Sequence, residues 1–319
     1  MRLHDNPVLG HIKSSAASAA NVEVLPVFCY DPRQYGTTAF GSPKTGVHRA
    51  KFLLESVADL KSSLRAIGSD LLIGIGKPEE LLPELAAACD LDGTAAATKV
   101  LCQAQAASEE LAVDAALRAA LPAGTELLPL WGGALYERSE LPFAADLSDL
   151  PDVFTPFRNL VEKRCSVRAP LAPPQRGELP LPARGRFTLP ARLSWDAPTT
   201  ADELAALAGA GFTGEQLAAP PDPRAAIALV GGESAALARL NHYLWGSDAL
   251  ATYFETRNGM LGADYSSKLA PWLALGDEGS RLPTNRGPPK LSALPFPGNL
   301  SPRLVAAECA RYVSRSRST

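Results

Sequence analysis

Apolar and polar positions along the first 130 residues follow two distinct rhythms. Between 48 and 67, Phe52, Leu53, Val57, Leu60, Leu64 and Ile67 recur at helical spacing, which predicts an amphipathic helix that Gly68 stops. Short apolar runs at 22–30, 71–75, 99–103 and 126–131 have the length and composition of buried strands. Between them, 78–88 and 108–120 read as helices, the second with Glu109 and Glu110 in its favourable first turn. At the start, Asp5 and Asn6 can cap a helix that begins at Pro7 and continues to about residue 20. This alternation predicts a doubly wound parallel sheet of the Rossmann-like α/β class. Such a sheet normally opens on a central strand, but only Arg2 and Leu3 precede the first helix, so the first strand is expected to be lacking.

The rhythm then changes. Residues 141–157 read as short turn-rich pieces, and prolines recur too often from 169 to 198 for regular structure, which predicts a linker. Beyond it, 202–207, 232–245, 248–258, 265–276 and 300–313 all have helical patterning with no strand between them. The segment 277–298 breaks this pattern with Pro283, Pro288, Pro289, Pro295 and Pro297, and separates two stretches that would otherwise adjoin. The expected organisation is an α/β domain at 1–143, a linker at 144–200 and a helical domain at 201–319 carrying an atypical insertion at 277–298.

Composition narrows the functional classes. A chain of 319 residues that is 46% hydrophobic can bury a sizeable core. Its formal net charge of -3 means that any contact with nucleic acid must come from a local patch. One such stretch is 158–192, with eight basic and two acidic residues and a net charge of +6. Cys29, Cys89, Cys102, Cys165 and Cys309 are scattered and odd in number, which argues against a disulfide framework and a zinc site. His4, His11, His48 and His242 are far apart, and no metal site is expected. No apolar run is long enough to span a membrane, and 1–7 resembles neither a signal peptide nor a presequence, so a soluble intracellular chain is expected. Neither GxGxxG nor GxxxxGK[ST] occurs, and GIGK at 74–77 is too short to count.

The stretch 249–276, ALATYFETRNGMLGADYSSKLAPWLALG, carries the best candidate chemistry. A helix through Tyr253 would end near Asn258 and Gly259, and Gly262 would permit a bend. Tyr265, Ser266, Ser267 and Lys268 would then open a second helix through Trp272. Two hydroxyls, an ammonium and free backbone N–H groups at a helix start form a phosphate-binding arrangement. Taken alone, the triplet also reads as an ordinary helix cap.

Several long blocks together resemble the cryptochrome/photolyase family, and its DASH branch in particular. They are RLHDNPVL at 2–9, LPVFCYDPR at 25–33, GSPKTGVHRAKFLLESVADL at 41–60, GKPEELLPEL at 76–85, LPDVFTPFRNLVE at 150–162, GGESAALARL at 231–240 and the 249–276 stretch. The resemblance implies an α/β domain that holds an antenna chromophore in many relatives, a linker, and an all-α domain that binds FAD. It further implies blue-light-dependent, FAD-mediated repair of cyclobutane pyrimidine dimers in single-stranded or UV-damaged DNA, or blue-light photoreception. On that basis Tyr253, Ser266, Ser267, Lys268 and Leu269 match positions that contact FAD, chiefly its phosphates, while Arg257 and Asn258 match the DNA-facing side. No catalytic residue is assigned.

The departures from the family pattern carry expectations of their own. Ala270 replaces a Ser or Thr after the phosphate motif, removing one possible hydroxyl contact. Gln105 stands where many DASH members use a glutamate to hold methenyltetrahydrofolate, so a folate here would meet an amide without charge. Asn299 replaces a small residue or Cys, and 277–298 interrupts a family motif that otherwise runs on into Leu300 and Ser301. The family's later helices are expected to be missing after Val313, so this chain is expected to encode one wall of the FAD site and to be inactive alone, with an organelle, chloroplast or mitochondrion, left open for the full-length form. The alternative is a non-enzymatic interaction or nucleic-acid-binding module that uses 158–192.

Overall fold

The structure, a computed structural model, describes residues 1–16, 22–89, 98–196, 213–220, 222–259, 262–273 and 298–316. The α/β rhythm is present nearly as read. Helix α1 spans Pro7–Ala16, β1 Val27–Tyr30, α2 Val47–Ala66, β2 Leu72–Ile75, α3 Pro78–Cys89, β3 Thr98–Gln103, α4 Ser108–Ala120 and β4 Thr125–Leu130. Residues 17–20, expected to extend α1, lie outside the described residues. Asn6 is the residue that caps α1, its Oδ1 accepting from the amides of Val8 and Leu9 at 3.0 and 3.3 Å. Strand β1 is shorter than expected because the chain before it, with Pro26, pairs instead with the linker: the Val24 amide donates to Pro180 O at 2.7 Å.

The strands form two hydrogen-bonded pieces. β1 pairs in parallel with β2, Val27 opposite Leu72, and β3 pairs in parallel with β4, Thr98 opposite Thr125. The outer edge of β2 is covered by a strand that the sequence reading did not anticipate. Strand β5, Leu193–Ser194, comes from the linker and pairs antiparallel through Leu193 opposite Gly74. The linker is therefore bound to the α/β part at several points between 168 and 194. Its arginines are largely spent on that attachment: Arg168 pairs with Glu137 and Glu140, Arg184 with Asp70, Arg186 with Glu23, and Arg192 with Glu80 and Glu84. With Arg158 paired to Glu162, five of the eight basic side chains of 158–192 are occupied, so the stretch is not the free polyanion rim its charge suggested.

Another difference lies within the turn-rich segment. Helix α5, Phe154–Arg164, forms there because Pro156 occupies its first turn, where the missing N–H has no helical partner to lose. A one-turn helix α6, Gly214–Ala218, is held by a reciprocal cap between Thr213 and Gln216. The helix expected at 202–207 lies outside the described residues. Helix α7, Glu233–Asn241, runs into a single π-helical turn, His242–Gly246. The long helix expected at 248–258 is only the one turn α8, Tyr253–Thr256. Helix α9 is Ala270–Leu273 and α10 is Pro302–Ser316.

Two apolar cores share one helix. Val57 and Leu64 of α2 pack with Leu3, Ile12, Tyr30, Leu71 and Ile73 in the α/β part. Phe52 of the same helix packs with Leu240, Tyr243, Leu269, Trp272, Leu300 and Val305, its ring 6.0 Å from that of Trp272. A Cβ on Gly231 would collide with the Phe52 carbonyl and with Ser56, so only glycine lets the chain before α7 lie against α2. The amides of Gly231 and Ser234 donate to Glu55 and Asp59 at 2.7 and 3.1 Å, adding polar contacts to the same joint.

The RLHDN stretch closes the seam between the two parts. Asp5, 0% exposed, accepts from both Arg303 Nη2 at 2.7 Å and Arg303 Nε at 2.9 Å, from Ser301 Oγ, and from the Leu171 amide at 3.0 Å. Arg2 donates to the carbonyls of Gly298, Asp5 and Gly132 at 2.9, 3.1 and 3.4 Å. Glu233 accepts from the amides of Leu3 and His4 at 2.6 and 2.9 Å and from His4 Nδ1, while His4 Nε2 accepts from the Ser301 amide at 3.1 Å. Burial opposes ionisation of Glu233, but the His4 contact and the two amides outweigh it and hold the carboxyl below its ordinary range.

Residues 277–297 of the expected insertion lie outside the described residues, as do 274–276. The chain on either side of that interval comes together: the Leu300 amide donates to Trp272 O at 3.1 Å. Asn299 is fully buried, donating to Met1 O at 3.0 Å and accepting from Ser56 Oγ at 3.1 Å.

Candidate functional site

The residues singled out between 253 and 269 lie in the helical part, where Thr256 Oγ1 of α8 donates to Tyr265 O at 3.2 Å and ties α8 to the segment that follows, but the element that carries 266–268 is not the one expected. Ser266, Ser267 and Lys268 do not open a helix. They form an irregular loop that ends at Leu269, just before α9, and Lys268 has a positive φ of 52° that no helix start would adopt. The phosphate-binding reading therefore passes from a helix start to a loop whose polar groups are free. Gly262 supplies the expected bend with a φ of 103°, open to glycine and costly for most other residues.

The loop is fixed from behind. Leu269 is buried, and its carbonyl accepts from the amides of Trp272 and Leu273, both at 3.1 Å. Its side chain belongs to the helical core with Trp272, whose indole N–H donates to Val230 O at 2.8 Å. Arg239 of α7 reaches the carbonyls of Ala263, Ser266 and Ser267. Among the described residues, the Ser266 and Ser267 hydroxyls and the Lys268 ammonium make no hydrogen bond or ion pair. Three donors are thus presented together on a backbone held by its carbonyls, the chemistry a phosphate group needs.

Tyr253 sits at the first position of α8, half-buried and packed on the helical core. Beside it, Tyr243 is buried on the π turn, its hydroxyl without a partner, and burial pushes that phenol up to about 12. The sequence reading missed Tyr243; a π turn has no one-dimensional signature, although such turns recur at functional sites. Arg257 and Asn258 follow α8 on the outer side. The Arg257 guanidinium lies 5.4 Å above the ring of Phe254, which is 59% exposed, and Arg257 Nε has no partner. An exposed aromatic face carrying a cation suits an unstacked base and its phosphate. Trp272 is buried as expected, and Leu273 is half-buried.

A second group of unpartnered polar atoms lies in the α/β part. Gln103 Nε2 and Gln105 Oε1, at and just beyond the end of β3, and Glu110 Oε2 in the first turn of α4 are enclosed without hydrogen bonds. They lie at the carboxyl end of a parallel strand, where α/β sheets take their ligands. Among the described residues no cluster of His, Cys, Asp and Glu could hold a metal ion, and no helix is long and apolar enough to cross a membrane.

Comparison with known proteins gives the chain its class. The pattern of the DNA photolyase family matches residues 1–176, more than half of the chain, and the chain belongs to that family. Within it, the chain is 42% identical to "Cryptochrome DASH, chloroplastic/mitochondrial" of Ostreococcus tauri over 98% of this chain and 54% of the relative. It is 40% identical to "Cryptochrome DASH" of Gloeobacter violaceus over 86% of this chain and 49% of the relative. The crystal structure of a Synechocystis sp. PCC6803 cryptochrome superposes with a TM-score of 0.73 at 35% identity, covering 98% of this chain and 54% of that one. The chain spans about half the length of the relatives it matches.

Proposed function

We propose that this chain forms part of a blue-light-driven flavoprotein of the DASH kind, acting on pyrimidine dimers in single-stranded DNA or signalling from the same excited flavin, and that 253–269 is its own wall of the FAD site. The observation that carries the proposal is the loop 263–268, on which two hydroxyls and an ammonium have no partner among the described residues while the backbone behind them is bonded. Ser266, Ser267 and Lys268 would hold the diphosphate, with Tyr253 beside them and Leu269 anchoring the loop to the core. Bound FAD supplies absorption of light and donation of one electron. The chain's residues bind and orient it, and keep water from the buried side.

Phe254 and Asn258 are exposed and Arg257 between them is half-buried, and the reading gives these three the DNA. A damaged pair costs less to extrude than an intact one, and a stacked cation beside an exposed ring suits an extruded base. Gln103, Gln105 and Glu110 are the proposed antenna contacts. A folate there would meet the Gln105 amide instead of a carboxylate, with the enclosed Glu110 carboxylate in the first turn of α4 as the acidic member of the group. By the same reading the protein works in a chloroplast or mitochondrion, the compartments that the name of the Ostreococcus relative gives.

The test is FAD retention after desalting by the 319-residue chain and by its Lys268→Ala variant. Retention by the parent and its weakening in the variant are expected; equal retention by both would remove the loop from the site. A UV-irradiated single-stranded oligonucleotide, titrated against the parent and Arg257→Ala, tests the DNA side in the same way, since loss of a phosphate-pairing cation should weaken binding and flatten its salt dependence.

A further inference from the structure

Arg239 lies on the last turn of α7, and its side chain is only 9% exposed. Its guanidinium engages one short segment at four points. Nε donates to Ser267 O at 2.9 Å, Nη1 to Asp264 Oδ1 at 2.9 Å, and Nη2 to Ala263 O at 2.8 Å and Ser266 O at 3.3 Å. One face of the guanidinium lies 5.5 Å from the Tyr243 ring. The other oxygen of Asp264 meets His242 Nε2 at 3.3 Å, which ties the loop to the π turn as well.

A segment with no ladder of its own takes its shape from whatever satisfies its carbonyls. Here that group is a single planar fork with five N–H donors, a geometry lysine cannot reproduce. Because the carbonyls of Ser266 and Ser267 turn toward Arg239, the hydroxyls of the same residues and the ammonium of Lys268 stay uncommitted. Loss of the fork would free the carbonyls to rotate and let the local donors fold back onto them.

We infer that Arg239 is the positioning residue of the cofactor wall: it sets the 263–267 backbone from behind, without touching the dinucleotide, and thereby keeps Ser266, Ser267 and Lys268 aimed at a diphosphate. The inference rests on the reading of that loop as part of the FAD site. Arg239→Lys keeps the charge and most of the bulk, and Asp264→Asn removes the charge behind one of the four anchor points while leaving Arg239 in place.

Three measurements on the full chain separate the possibilities: amide exchange across 263–268 without ligand, FAD affinity, and affinity for riboflavin, which lacks the diphosphate. Expected for Arg239→Lys are faster exchange confined to the loop, FAD binding weakened about tenfold, the loss of one to two hydrogen bonds' worth of order, and unchanged riboflavin binding. Asp264→Asn should move the same readouts in the same direction and by less. Unchanged loop exchange overturns the inference whatever the flavin result. So does faster exchange with unchanged FAD affinity, or a parallel loss of riboflavin binding, which would mean general loosening. If the parent chain binds no FAD while its loop exchange still responds to Arg239→Lys, the FAD reading falls and takes the cofactor role of Arg239 with it, but Arg239 remains the organiser of the loop.

Discussion

The seam around Asp5 and the wall around Lys268 handle polar groups in opposite ways. At the seam, Asp5, Arg303, Arg2, His4 and Glu233 are all buried and all engaged with one another or with backbone; Arg2 Nε is the one side-chain atom there left without a partner. At the wall, the backbone is bonded but the functional ends are not: among the described residues Ser266, Ser267 and Lys268 have no side-chain partner, and the Tyr243 hydroxyl and Arg257 Nε are enclosed without one. A closed network fixes one arrangement of two parts, whereas donors left open by a rigid support are suited to a group that arrives from outside. The contrast separates a joint from a binding surface within one chain.

The comparison can be broken at several points, the largest effect first. Asp5→Ala should cost about 3–5 kcal/mol in a denaturant titration, because it leaves the Arg303 guanidinium buried without its carboxylate. A loss below about 1 kcal/mol would mean that the seam is not the joint described. Acid should act next. The Glu233 carboxyl is held below its ordinary range, so its contribution is complete above about pH 4.3 and is lost as the pH falls through the lower folded-state value. Glu233→Gln should shrink that acid-sensitive part of the stability curve and also lower stability at neutral pH. An unaltered pH profile would dismiss the His4–Glu233 contact as a contributor.

At the wall the effects should fall on ligand and not on stability. Ser266→Ala with Ser267→Ala should leave the melting temperature in place and weaken FAD binding about thirtyfold, at about 1 kcal/mol for each hydrogen bond. A melting shift with no change in affinity would assign these hydroxyls to the fold. The smallest effect is expected where the chain leaves and rejoins the helical core. Since Leu300 N reaches Trp272 O, a short Gly-Ser link in place of 274–297 should be neutral or stabilise by about 1 kcal/mol, because a shorter loop costs less entropy to close. Failure of that variant to fold would show that the segment contributes to the core.

Much of the α/β part was legible because its elements are long enough for periodicity to outvote local exceptions. Helices α2 and α4 lie within a residue of their expected limits, and Pro83 inside α3 did not hide it. The errors lie where a short motif has two physical meanings. Proline at 156 reads as a breaker but is harmless in a first turn, so α5 was missed. Asp5 and Asn6 both look like caps; Asn6 caps, while Asp5, at a positive φ of 46°, turns to the seam. Ser-Ser-Lys reads as the start of a helix, and nothing in the triplet reports that Lys268 sits at positive φ. Arg239 was invisible for another reason: its partners lie 24 to 28 positions along the chain, and only the folded backbone brings them under one side chain.

Helix α2 ends as more than a member of the sheet's covering layer. Because Phe52 belongs to one core while Val57 and Leu64 belong to the other, and because Glu55 and Asp59 hold the approach to α7, the helix works as a common beam. A beam shared in this way leaves neither part a private foundation. Cutting the chain within the linker would leave α2 in the first fragment with its Phe52 flank bare and would take that packing surface away from the second, so the two parts melt together as one cooperative body.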